Sequence, residues 1–126
     1  MKFNINLASV RKRIGDKVLL VQKKIAFDIL SGIVNMTPVD TGRARGNWFV
    51  TLAAPHVGMD WEKKDVAGGG VISDGSQTIQ SLQNYGAIYL TNNLPYIVAL
   101  EKGHSKQATP GAMVQLSIDR VAAGLR

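Results

Sequence analysis

Leu7 to Pro38 reads LASVRKRIGDKVLLVQKKIAFDILSGIVNMTP, and this stretch decides the fold. Within it Leu7, Val10, Ile14, Val18, Val21, Ile25, Ile29 and Ile33 follow one another at steps of three or four. That spacing predicts an amphipathic helix held for about seven turns. Pro38 ends it, because proline has no N–H to donate and disfavours helical geometry in the residue before it. A helix of this length spans roughly 40 Å at ~1.5 Å per residue, more than the width of a 126-residue globule. Part of it is therefore expected to project or to pack on something else.

A second series, Leu20, Phe27, Leu30 and Val34, lies on the other side at the same spacing. Either the chain covers its own helix from both sides, or this second stripe meets a neighbouring subunit. So short a chain has little left to cover two faces, which favours the neighbour. Arg13, Lys17 and Lys24, with Lys12 and Lys23 close by, form a basic strip between the stripes. Such a strip is a solvated face, or it meets acidic protein surfaces or DNA phosphates, where attraction needs no sequence reading. It lacks interleaved aromatics and any helix-turn-helix or ribbon signature, so sequence-specific DNA recognition is not expected. Residues 1–50 hold nine Lys or Arg against three Asp, whereas residues 51–126 hold six of each sign, so the whole excess of +6 is N-terminal.

Downstream of the helix, Pro38-Val39-Asp40-Thr41-Gly42 reads as a tight turn, with the aspartate accepting backbone N–H bonds two residues on and the glycine at positive φ. Arg43 and Arg45 follow, as surface charges or as partner contacts. Asn47 to Ala53, NWFVTLA, has the aromatic and β-branched content of a strand. Ala54 to Gly70, APHVGMDWEKKDVAGGG, shows no period, and a long mobile loop is expected over residues 54–76. Met59 and Trp61 are its candidate anchors for a partner, the alternative being a tryptophan folded back on the core. Thr78 to Tyr85 fits a short helix stopped by Gly86, and Ala87 to Asn92, AIYLTN, a second strand. Pro95 opens another short helix, with Gly103 in the left-handed position after it; Thr109 as N-cap and Pro110 start a closing helix along Val114, Ile118, Val121 and Leu125. The expected class is α+β, one domain over residues 1–126: a long N-terminal helix packed on a small, mainly antiparallel sheet with two or three shorter helices. The edges of so small a sheet need protection or a pairing partner.

Hydrophobic content of 45% and charged content of 19% belong to a globular chain and not to a disordered one. Zero cysteines remove disulfides and thiolate chemistry. No apolar run approaches the roughly 18 residues of a membrane span, and no signal-peptide pattern opens the chain, so a soluble protein without membrane association is expected. His56 and His104 stand 48 positions apart with no second ligand at metal-binding spacing. Gly68-Gly69-Gly70 lacks the Lys-Ser or Lys-Thr of a phosphate loop, and Asp60, Glu62 and Asp65 are interrupted by Lys63 and Lys64. Nothing points to an enzyme, and no metal or cofactor is expected.

Two blocks carry a resemblance. TPVDTGRARGNW (Thr37 to Trp48) and PYIVALEKGHSKQATPGAM (Pro95 to Met113) together resemble the tail-component family of long-tailed bacteriophages and prophages, small proteins assigned to tail completion and head-tail joining. Thr37, Pro38, Val39, Asp40, Thr41, Gly42 and Arg43 match the first block, and Tyr96, Glu101, Gly103 and Pro110 the second; Ala54 to Ser76 is left unaccounted for. The resemblance implies a structural virion protein of tail or neck, assembled in the host cytoplasm. It further implies a homo-oligomeric ring, hexameric in that family, at the head-proximal end of the tail. The partners would be the head-tail connector, tail tube or terminator proteins, and the DNA in the channel. On that picture Leu20, Phe27, Leu30 and Val34 are the subunit interface. Met59, Trp61, His104 and Lys106 meet a partner ring, and Arg13, Lys17, Lys24, Arg43 and Arg45 face DNA or an acidic partner. Two alternatives stay open: a tail terminator or other minor tail protein, and, in another class, a small basic protein that binds nucleic acid non-specifically.

Overall fold

The computed structural model describes residues 6–103 and 112–125. Helix α1, Leu7–Met36, is the axis of the structure. The side chain of Asn6 caps its start by accepting from Ser9 N at 3.1 Å, and Thr37 leaves the helix in an extended conformation just before Pro38. Then come a single turn of helix α2 (Arg43–Gly46), strand β1 (Phe49–Thr51), helix α3 (Gly69–Gln80), strand β2 (Tyr89–Thr91), the short helix α4 (Ile97–Glu101) and helix α5 (Met113–Gly124). The strands pair antiparallel in the register Phe49 to Thr91, Val50 to Leu90 and Thr51 to Tyr89. The α+β class and the long helix on a small antiparallel sheet agree with the sequence reading, although both strands are shorter than expected.

The core lies against the C-terminal half of α1. Leu30, Val34, Ile79 and Met113 are fully buried, joined by Ala26, Ile33, Trp48 and Val71. Each large aliphatic side chain so buried contributes roughly 1.5–3 kcal/mol. α3 and the sheet cover one side of this half, and α5 runs back along the adjacent side, with Met113 beside Thr37 and Leu125 near Val21. Two glycines set how closely these helices approach. A Cβ on Gly32 would stand 2.7 Å from Ser117 Oγ, and one on Gly75 would stand 2.5 Å from Leu30 Cδ2 and 2.8 Å from Val50 Cγ2.

Four expectations are corrected. Leu30 and Val34, assigned to a subunit interface, belong to the chain's own core, because α3, β1 and α5 together supply the cover that a short chain was thought to lack. The loop expected over 54–76 ends at Gly68, and α3 starts at Gly69. Glycines read as breakers, yet here Gly68 makes the left-handed entry at φ 83°, and Asp65 accepts from Gly68 N and Val71 N at 2.9 Å each, capping the helix from outside. That helix ends at Gln80 instead of running from Thr78 to Tyr85, and Lys23 donates to Gln80 O at 3.0 Å, a cation at the carbonyl end. Finally, α5 begins at Met113; the expected start at Thr109 and Pro110 lies outside the described residues. Its first turn is capped by Glu101, whose carboxylate oxygens accept from Val114 N at 2.9 Å and Gln115 N at 3.2 Å.

Candidate functional site

Two surfaces differ from an ordinary solvated exterior. The first is the N-terminal half of α1. Gln22, hydrogen-bonded to Gly86 O, and Lys23 on Gln80 mark where the rest of the fold first grips the helix. Before that point, residues 12–18 are exposed without exception, including Ile14 at 59% and Val18. Leu20, at 67%, and Val21 are exposed too, and Phe27 keeps 37% of its surface. Of the four residues assigned to a subunit interface, then, Leu20 and Phe27 stand on the open side of α1. Arg13, Lys17 and Lys24 lie on that same open side, in line with Leu20 and Phe27 instead of between the two stripes as expected, and all three are exposed. A groove of about 440 Å³, lined in part by Val21, Ile25, Val121 and Leu125, opens where α5 runs out against α1.

The second surface is carried by residues 54–68, which lack regular structure and are fastened to the joint formed by Thr37 to Trp48. Asn47 is the centre of that fastening. Buried completely, it donates through Nδ2 to Arg43 O and Asp60 O at 2.9 Å and to Lys63 O at 3.2 Å, and its Oδ1 accepts from Asp60 N at 2.9 Å. Gly42, at φ 87°, accepts from Asp65 N at 2.9 Å, and a Cβ there would meet Val66 N at 2.7 Å. Asn93 holds the far part of the segment by donating to His56 O and Gly58 O. Trp61 rests between Arg43, whose guanidinium lies 4.2 Å above its ring, and Tyr96, whose ring stands nearly perpendicular with centroids 6.5 Å apart; it is still 46% exposed. Met59 and Val57 stand exposed beside it in sequence. Trp61 is thus docked on its own chain and open on its outer side, between the two readings made from sequence. His104 and Lys106, assigned to the same partner surface, lie outside the described residues.

Arg43 and Arg45 require correction as DNA or acidic-partner contacts. Arg43 Nε donates to Trp61 O at 2.6 Å. Arg45 donates to Thr37 O and Asn35 O at 3.0 Å each and to Val66 O at 2.9 Å, so its fork closes the carbonyl end of α1 and ties residue 66 to it. Both side chains are half-buried structural clamps. The turn itself differs in detail: the hydroxyl of Thr41 accepts from Arg43 N at 3.3 Å, and Asp40 is exposed. Thr37, the first residue of that block, is fully buried; its hydroxyl donates to Ile33 O at 2.6 Å and accepts from Trp48 Nε1 at 3.0 Å.

Asn47, Asp65 and Glu101 are the polar residues that sequence reasoning missed. Their partners lie between 3 and 16 positions away, and only Asp65, three residues before Gly68, stands where a local capping signal could have found it. Among the described residues no group of three His, Asp or Glu converges as a metal site, and His56 stacks on Phe49 with ring centroids 3.8 Å apart. No helix among them is long and apolar enough to cross a membrane. Compared with protein-family models, curated proteins and solved structures, the chain matches none of them.

Proposed function

We propose that this chain is a structural protein of a tailed bacteriophage or prophage particle. In this reading it assembles as a ring at the head-proximal end of the tail and acts in tail completion and head-tail joining. The observation that carries the reading is the division of α1. A well-packed body grips residues 22–36, while the helix continues for more than two further turns with Ile14, Val18, Leu20 and Val21 uncovered. Aliphatic surface held out on a preformed rod suits assembly with other subunits better than a life as a monomer. The resemblance of Thr37 to Trp48 and of Pro95 to Met113 to tail-component proteins supplies the kind of assembly.

Electron microscopy of lysates from the source phage or prophage, with this gene deleted, tests the reading. Filled heads and tails that accumulate unjoined are the expected outcome. Tails of normal length favour joining, and overlong tails favour termination. Intact, infectious particles in normal numbers overturn the assignment.

A further inference from the structure

We infer that the open ridge of α1 bearing Arg13, Lys17 and Lys24 is a seat for the phosphate backbone of duplex nucleic acid, independent of base sequence. The charge is placed for it. Positions 7–26 of α1 hold six Lys or Arg against Asp16 alone, whereas residues 27–126 hold eight of each sign, so the excess positive charge is concentrated on the rod. The structure narrows the candidates further: Arg43 and Arg45 are committed to main-chain carbonyls, which among the described residues leaves the rod as the place where exposed cationic groups line up. Lys24 pairs with Asp28, and the neighbouring Lys12 with Asp16, each at 2.9 Å and one turn apart on exposed surface. Such pairs are weak and exchange readily for a phosphate.

Phosphates are the chemistry this ridge suits. Between Lys12 and Lys24 the only side-chain amide is Gln22, and it is engaged with Gly86, so the ridge offers cations and no free amide to read adenine. An acidic protein surface would have to place carboxylates to match cations spaced by about 6 and 10 Å along the helix. A duplex carries one charge per ~1.7 Å of axis and meets those cations in any register. The inference does not depend on the tail assignment, since the isolated chain carries the whole ridge.

Fluorescence anisotropy of a labelled duplex of arbitrary sequence, titrated with the full chain at several salt concentrations, tests it. Three neutralised phosphates predict a slope of log K against log salt of about −3. The Arg13→Gln/Lys17→Gln/Lys24→Gln variant, checked for unchanged helicity, should bind at least tenfold more weakly at low salt and show a flatter slope. A variant with Lys63→Gln, Lys64→Gln and Lys102→Gln removes as much charge from the body, outside the groove that Lys24 lines, and should keep most of the affinity. No binding at low salt overturns the inference, as does equal weakening by the two variants, which would mean that net charge alone is felt. Displacement of the duplex by polyglutamate at equal charge concentration would also overturn it, in favour of an acidic protein partner. None of these outcomes bears on whether tails are completed in the deletion lysate.

Discussion

The two halves of α1 are made of the same kind of sequence and end in opposite environments. Gln22 to Met36 and the residues before them share one spacing of aliphatic positions, yet Leu30 and Val34 have no accessible surface while Leu20 and Ile14 keep more than half of theirs. The glycines repeat the contrast, since Gly15 faces open space and Gly32 lies against Ser117. Periodicity marks which residues of a helix share a face. Whether that face is covered depends on how far α3, β1 and α5 reach along the rod, and α5, at 12 residues, is less than half as long as α1 at 30.

The largest expected difference is between Leu30→Ala and Leu20→Ala. The first empties a fully packed position and should cost about 2–5 kcal/mol in denaturant unfolding, whereas the second should stay within about 0.5 kcal/mol. A loss of more than about 1 kcal/mol at Leu20 that grows with protein concentration would break the comparison by showing a neighbour on the open half.

Asn47→Ala follows, since it strands the carbonyls of Asp60 and Lys63 and frees Asp60 N. A loss of about 2–3 kcal/mol is expected, together with faster amide exchange across residues 58–66. Unchanged exchange there would mean that the segment is held mainly by Arg43 and Asn93.

The helix glycines give the smaller and sharper pair. Gly32→Ala forces α5 away or Ser117 into another rotamer and should cost about 1–3 kcal/mol. Gly15→Ala meets nothing and should raise helicity, adding up to about 1 kcal/mol locally. If the open half frays independently of the body, circular dichroism will record that gain while the global unfolding midpoint stays where it was. A matching rise in the midpoint would instead couple the two halves.

Much of the fold was legible. The length and end of α1, both strands, the helix after Pro95 and the left-handed Gly103 all rest on local chemistry, and each is found in place. The failures share a cause. α3 was hidden because Gly68, Gly69, Gly70 and Gly75 register as breakers, although Gly75 is a buried packing position whose missing side chain makes room for Leu30 and Val50. Leu30 and Val34 were assigned outward because one helical face looks like another until its neighbours are known. Of the candidate contacts, Arg13, Lys17, Lys24, Leu20 and Phe27 are on the open side of α1, while Arg43 and Arg45 are spent on carbonyls 8 to 21 positions away. Sequence marks these arginines as charged and says nothing about such partners.

By itself, then, the sequence determined that one long amphipathic helix leads an α+β domain, where that helix stops, and that the net positive charge is concentrated toward the N-terminus. These are local properties, set by side-chain spacing, proline geometry and charge count. Only the tertiary structure decided which half of the helix is covered, that Arg43, Arg45, Asn47 and Glu101 are clamps, and that Trp61 is docked yet open. Each of these depends on groups distant in sequence meeting in space, where desolvation makes a satisfied hydrogen bond or a filled gap worth kilocalories that no local pattern records.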